Sequence, residues 1–307
     1  TAANPYITIL GPIESAARRI SIMGICNKSA GIIATFLFGV MALSDGDALM
    51  AKLSVMEGAE KNAMLDELAS RVIIPYTGMA AILFLIGIML KVSKLPDIDP
   101  DVQNAGSETN NYSSKTSIFQ FPYLLLGVVA IFCDVGLEII AGDTIISYGL
   151  SQGIPVSVAR HFTSFTMIAS ITGYSIGIIT IPRYISQSNA LKLYSILGIL
   201  LAIAAISSSR MVSVVFIASL GIANALIWPA VWPLAIEGLG RFTGIGSSLL
   251  IMGNLGGALL PLLYGRLADI IDPTVSYVIV IPCYLFLLYY AASGHKIGKK
   301  LIPQVKS

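Results

Sequence analysis

Long apolar runs separated by shorter polar stretches dominate the sequence. Eight runs have roughly the 20 residues that a helix needs to cross the hydrocarbon core of a bilayer, and a partial run, ending at Gly11-Pro12, opens the chain. The pattern therefore predicts an all-α membrane protein. The eight predicted spans cover about 20–43, 72–92, 118–149, 156–181, 190–207, 211–236, 244–267 and 274–293.

Two polar segments divide these spans into groups. Residues 44–71 are rich in Asp, Glu and Lys but keep spaced apolar residues, which favours a short interfacial helix. Residues 93–117 show almost no periodicity and read as a linker. Six spans follow the linker, as in transporters built from two six-helix bundles. We therefore predict the remainder of an N-terminal bundle at 1–92, a linker at 93–117 and a C-terminal bundle with a basic tail at 118–307.

Composition and charge support the membrane assignment. Hydrophobic residues make up 55% of the chain, charged residues 12%, and the mean hydropathy is +0.81, whereas soluble domains carry about a quarter charged residues. A net charge of +2 gives no reason to expect a nucleic-acid partner. If the Arg18-Arg19 turn is cytoplasmic, most Lys and Arg residues of the loops fall on that side, as the positive-inside rule requires. The linker and the tail are then cytoplasmic too.

The sequence contains little that suggests enzymatic chemistry. Cys26, Cys133 and Cys283 lie in separate apolar runs and read as small buried hydrophobes, without a disulfide framework or metal-ligand spacing. The two histidines are far apart, and no glycine-rich phosphate loop is present. Gly246-Ser247-Ser248 lacks the flanks of a nucleophile elbow. We therefore expect no enzyme, no cofactor and no metal site.

Four ionisable residues fall inside predicted spans, where each costs at least a few kcal/mol: Lys28, Asp134, Glu138 and Asp143. Asp134 and Glu138 share one helix face because they are four residues apart. Two close carboxylates do not both ionise cheaply, so one is expected to exchange a proton near neutrality. The alternatives are that the acids only tune the field of a wet cavity, or that one forms a structural ion pair with Lys28. Asp143, nearer the outer end, is expected to face a vestibule.

The two tryptophans of the chain, Trp228 and Trp232, are each followed by a proline. Proline removes a helix hydrogen bond, and broken backbone at membrane depth is tolerated where it is buried or lines a cavity. Asn224, Trp228 and Trp232 recur at four-residue spacing and should form one stripe. Aromatic faces pack against the C–H faces of sugar rings, and amides bind their hydroxyls. The alternative, stronger for Trp232 than for Trp228, is an anchor at the membrane interface.

Polar and small residues within the spans have packing interpretations as well. Asn27, in the middle of the first complete span, is a candidate sugar contact, and the alternative is an interhelical hydrogen bond. Gly253 and Gly257 form a G-x-x-x-G pair that Asn254 extends, which is typical of closely packed helices.

Four stretches in chain order carry a resemblance to a known family. They are Thr-Ala-Ala-Asn-Pro-Tyr through Gly-Pro at 1–12, Asp-Val-Gly-Leu-Glu at 134–138, Trp-Pro through Glu-Gly-Leu-Gly at 228–240, and Gly-Gly-Ala through Leu-Ala-Asp at 256–269. Together they resemble the fucose–galactose–glucose proton symporters of the major facilitator superfamily, and most of all their bacterial glucose/galactose members.

The resemblance implies a two-bundle fold of twelve helices, of which this chain holds the end of the fourth and all of the fifth to twelfth. The N-terminal quarter or so of the protein is thus expected to be missing. The resemblance also places the main proton-linked acids of the family in the first and fourth helices, upstream of Thr1.

Family roles carry over only to positions that match. Asn27 matches a sugar-binding amide in the fifth helix, and Glu138 matches an acidic or amide position in the seventh. Asp134 and Lys28 depart from the family pattern. The expected sugar contacts are therefore Asn27, Glu138, Asn224 and Trp228, and the proton-coupling candidates are Glu138 and Asp134. Further candidate cavity residues are Asn4, Lys28, Asp143 and Trp232.

These observations predict a secondary active transporter that takes up a monosaccharide with protons by alternating access. The expected sugar is glucose or galactose, with fucose and N-acetylglucosamine as the other candidates. We expect a multi-pass monomer in the lipid bilayer of the bacterial inner membrane. The rival hypotheses are a non-transporting sugar sensor or an inactive fragment and, less well supported, a membrane-embedded enzyme.

Overall fold

The computed structural model describes residues 7, 11–42, 56, 58–93 and 116–299, with no side chains described for residues 35–42, 59, 68 and 156. Asn4, most of the predicted partial helix at the start and most of the predicted linker lie outside these residues. All regular structure in the described ranges is helical. The α-helices are α1 (Ala16–Ala42), α2 (Gly58–Ser70), α3 (Ile73–Val92), α4 (Pro122–Asp143), α5 (Ile145–Ser151), α6 (Val156–Ala159), α7 (Phe162–Thr180), α8 (Gln187–Ile206), α9 (Arg210–Ala225), α10 (Ile227–Ile236), α11 (Thr243–Met252), α12 (Gly256–Ile270), α13 (Pro273–Ser276) and α14 (Val280–Ala292).

Within the described residues, seven helical stretches are long and apolar enough to cross a membrane. They are Ile73–Val92, Pro122–Asp143, Ser157–Thr180, Gln187–Ile206, Arg210–Ile236, Gly240–Ile270 and Pro273–Ala292. Each corresponds to one of the predicted spans, and the remaining prediction, 20–43, overlaps the 27-residue helix α1 over residues 20–42. The prediction of an all-α membrane fold is confirmed.

Several spans are not single helices. The span Arg210–Ile236 breaks at Leu226, between α9 and α10, because the ring of Pro229 has no N–H to donate to the carbonyl of Ala225. A short 3₁₀ turn at Gly253–Leu255 separates α11 from α12. The predicted span 118–149 ends earlier, since α4 stops at Asp143 and α5 follows.

Contacts along the chain define two compact units, Thr1–Lys28 with Ile98–Ser307 and Ser29–Asp97. In the larger unit, α4 is central and packs against α9, α10, α11, α12 and α14. Small residues permit close helix contact there: a Cβ added to Gly173 in α7 would lie 2.7 Å from the carbonyl oxygen of Ile222 in α9. The predicted bundle boundaries at 92 and 118 stay a prediction.

The smaller unit contains α2, α3 and the second part of α1. The helix α2 lies in the polar segment 44–71, where a short helix was predicted. The helix α3 has no buried residue, and its apolar side chains, such as Phe84 at 71% exposure, face outward. Such an apolar surface suits contact with lipid.

Candidate functional site

A cavity of about 530 Å³ lies in the larger unit, between the first part of α1 and the helices α4, α7, α10 and α12. Its volume is within the range of about 300–1,000 Å³ that is usual for small-molecule sites. The polar and aromatic residues that line it are Asn27, Lys28, Glu138, Tyr174, Trp228 and Asn254. The cavity thus combines hydrogen-bonding groups with a broad aromatic surface.

An ion pair crosses the cavity wall between α1 and α4. The Lys28 Nζ donates a hydrogen bond to Glu138 Oε1. The two side chains are 19% and 37% exposed, respectively, so both charges remain in contact with the cavity. The ion pair that sequence reasoning offered as an alternative role is therefore present, and its two members also line the cavity.

Asp134 lies one turn before Glu138 on α4 and is not among the lining residues. Its side chain is 1% exposed. Neither carboxyl oxygen has a hydrogen-bond partner in the described part of the chain. The charges that act on it are those of Glu138 and Lys28, so it belongs electrostatically to the same cluster.

The two tryptophans form a stacked pair, with Trp228 at the cavity surface and Trp232 behind it. The rings of Trp228 and Trp232 have centroids 5.5 Å apart and planes inclined by 20°. Trp228 is partly exposed and lines the cavity, whereas Trp232 is fully buried. Trp232 therefore supports Trp228 from the protein side and does not occupy an exposed position at the membrane interface.

Asn224 is separated from the tryptophans by the break at Leu226. Its side chain is buried, and its Oδ1 accepts a hydrogen bond of 2.5 Å from the hydroxyl of Tyr284. It does not line the cavity. The structure thus brings Asn27, Lys28, Glu138 and Trp228 together and places Asn224, Trp232 and Asp134 behind them, while Asp143 is exposed at the end of α4.

Sequence reasoning missed Tyr174 and treated Asn254 only as part of a packing motif. Tyr174 is 7% exposed and reaches the cavity because it lies against Gly24 of α1. A Cβ added to Gly24 would lie 2.6 Å from Tyr174 Cζ. Nothing in the sequence couples these two positions, which are far apart along the chain.

The sequence was compared with those of known protein families and curated proteins. No model of a known protein family matches the chain. It is 28% identical over 299 residues to the glucose/galactose transporter of Brucella abortus, covering 96% of this chain and 68% of the relative. It is 24% identical over 272 residues to the L-fucose-proton symporter of Escherichia coli, covering 88% and 62%, respectively.

The fold also matches a solved structure. The crystal structure of the Escherichia coli fucose:proton symporter superposes with a TM-score of 0.78 at 23% identity, covering 94% of this chain and 72% of that one. These similarities to glucose/galactose transporters and fucose–proton symporters support the predicted fucose–galactose–glucose family of the major facilitator superfamily. The superposition confirms the predicted fold. The relatives are transporters, which confirms the expectation of a multi-pass membrane transporter and not an enzyme.

Proposed function

We propose that this transporter takes up a monosaccharide together with protons by alternating access. The observation that carries the proposal is the cavity in which an aromatic face, two amides and a carboxylate–ammonium pair converge. The relatives supply the chemical class, since they are named as glucose/galactose and fucose transporters. The glucose/galactose transporter of Brucella abortus is 28% identical to this chain and the L-fucose-proton symporter of Escherichia coli is 24% identical, so glucose and galactose are the first sugars to test.

Each lining group has a chemical role in this proposal. The exposed face of Trp228 packs against the C–H face of the sugar ring. The buried ring of Trp232 stacks on the Trp228 ring and keeps it in place. The amides of Asn27 and Asn254 bind hydroxyl groups. In the Lys28–Glu138 ion pair, the carboxylate of Glu138 accepts hydrogen bonds from sugar hydroxyls and the ammonium of Lys28 donates hydrogen bonds to them. Asn224 acts indirectly, by fixing Tyr284 behind the cavity.

The protein acts, in this proposal, in the inner membrane of a bacterium as a monomer. The linker and the C-terminal tail face the cytoplasm, as the distribution of Lys and Arg favours. Downhill proton entry then drives sugar entry, with Glu138 and Asp134 as the candidate proton-coupling acids in this chain.

The test is sugar uptake into proteoliposomes that contain the purified protein. Acidifying the outside should accelerate the accumulation of labelled glucose or galactose, and a protonophore should abolish accumulation above equilibrium. Accumulation that a protonophore leaves unchanged would contradict proton coupling. Binding of sugar without any exchange across the bilayer would instead indicate a sensor.

A further inference from the structure

Asp134 differs from every other acid in the described ranges in being almost fully removed from solvent. Neither of its carboxyl oxygens has a hydrogen-bond partner there. An ionised carboxylate in such a place lacks hydrogen bonds that would compensate for its lost hydration. The protonated, neutral form is the one that fits this environment.

Glu138 has the opposite situation, although it lies only one turn further along α4. Its carboxylate is partly exposed to the cavity and holds the ammonium of Lys28. The structure therefore assigns different roles to the two acids: Glu138 holds the ammonium of Lys28, and Asp134 carries the proton.

Among the residues that the structure describes, one cation acts on Asp134. Its electrostatic partners are Lys28 from α1, Glu138 and Cys133 from α4, Tyr174 from α7 and Tyr284 from α14. The helix α12 adds apolar groups at the neighbouring turn, where Leu260 lies against Gly136. Among these groups, only Lys28 can compensate a negative charge on Asp134.

Resting on the symport proposed above, we propose that Asp134 binds the coupled proton and that Lys28 moves between the two acids. While Asp134 is protonated, Lys28 stays on Glu138, as in this structure. When the proton leaves to the water of the cavity, the ammonium is drawn towards the new carboxylate. The flexible stem of Lys28 can follow, since one helical turn is about 5.4 Å.

This exchange couples the proton to the sugar. The Lys28–Glu138 pair on the cavity wall presents a donor and an acceptor to sugar hydroxyls. Deprotonation of Asp134 pulls Lys28 away and disrupts that arrangement, so sugar affinity falls. By linkage, sugar binding must then favour proton uptake by Asp134 to the same extent. One proton is bound or released at Asp134 per cycle.

The first test measures sugar affinity against pH in purified protein. Binding of glucose and galactose can be followed by the fluorescence of Trp228 and Trp232, the two tryptophans of the chain. If one proton is taken up with each sugar, sugar affinity should fall about tenfold for each unit of pH above the transition. We expect Asp134→Asn to reduce the number of protons taken up per sugar by one. The exposed acid Asp269 supplies the matched control, and Asp269→Asn should leave the slope unchanged.

The second test needs no sugar and identifies the proton directly. Infrared difference spectra should show the C=O stretch of a protonated carboxylic acid without a hydrogen bond. The band should disappear in Asp134→Asn and persist in Asp269→Asn. A band that persists in Asp134→Asn, or an unchanged slope in that variant, overturns the assignment. If Asp134→Asn does not fold, Asp134→Glu, which keeps the carboxyl group, should shift the band, and an unshifted band overturns the assignment. Absence of any sugar binding in the unmodified protein would refute the proposed function, while the infrared band would still test Asp134.

Discussion

The ion pair between Lys28 and Glu138 leads to a quantitative prediction. Replacing Lys28 by Met keeps most of the aliphatic stem and removes the charge, which leaves the Glu138 carboxylate without its partner. Removing one partner of a fully buried pair costs about 3–5 kcal/mol. Because the Glu138 side chain is 37% exposed, water replaces part of the lost interaction. We therefore expect a loss of about 1–2 kcal/mol in the free energy of unfolding.

A double-mutant cycle isolates the pair from other effects of each substitution. Lys28→Met and Glu138→Gln each strand one charge, whereas the double variant has neither charge left. The double variant should therefore lose less than the sum of the single losses, by about 1–2 kcal/mol. Unfolding of the purified protein by SDS in mixed micelles, followed by tryptophan fluorescence, gives the three values.

A matched pair on the surface calibrates the cycle. Arg71 and Glu67 form an i,i+4 pair with an N–O distance of 3.4 Å and side chains 29% and 65% exposed. Its coupling energy should not exceed about 0.5 kcal/mol. If the stability losses of the two single variants at Lys28 and Glu138 add up to the loss of the double variant within about 0.5 kcal/mol, the two charges do not interact as described. That result would refute the reasoning.

Three further predictions concern binding, packing and pH. Trp228→Ala should weaken sugar binding about tenfold or more in equilibrium titrations, because the aromatic contact is lost. Gly24→Val should slow uptake by the proteoliposomes and destabilise the protein by about 1–3 kcal/mol, because the added group meets the ring of Tyr174. Asp272 Oδ1 accepts bonds from the backbone N–H groups of Thr274 and Val275, which lowers the pKa of this carboxyl. Asp272→Ala should cost about 1 kcal/mol at neutral pH, and the difference should vanish in thermal unfolding as acid protonates the folded cap.

Each of these predictions has a control that separates it from a general loss of stability. Trp228→Phe keeps an aromatic face and should retain more affinity than Trp228→Ala. Gly142→Ala places its methyl in open space and should leave uptake unchanged. Asp269→Ala removes an exposed acid at the end of α12 and should not reproduce the pH-dependent loss. Equal effects in the test variants and these controls would contradict the structural explanations.

The apolar runs were sufficient to predict the spans, because helix length in a membrane follows from the thickness of its hydrocarbon core. The apolar runs alone do not show the break at Leu226, whereas the proline after Trp228 predicted an interrupted helix there. Four-residue spacing placed Asn224 on one stripe with Trp228, but an interrupted helix does not preserve that stripe. Pro229 was the available signal, and its effect on the position of Asn224 depends on how α9 and α10 pack.

Site residues whose side chains are unusual in a membrane span were predicted from the sequence. Site residues that depend on contacts between distant parts of the chain were missed. Lys28 and Glu138 stood out because an ionisable side chain in a membrane span is energetically costly and therefore rare. In the structure the two residues form an ion pair. Tyr174 did not stand out, since tyrosines are common in the chain and its position depends on Gly24. Burial of Asp134 without a partner is likewise a property of the packed helices that helical spacing does not reveal.

The most direct test of the central claim, that the cavity holds the transported sugar, is an experimental structure with bound glucose or galactose. We predict the sugar ring over the exposed face of Trp228, with its hydroxyls in hydrogen-bond contact with Asn27, Asn254 and the Lys28–Glu138 pair. A sugar bound elsewhere in the protein, with this cavity containing only water, would contradict the account.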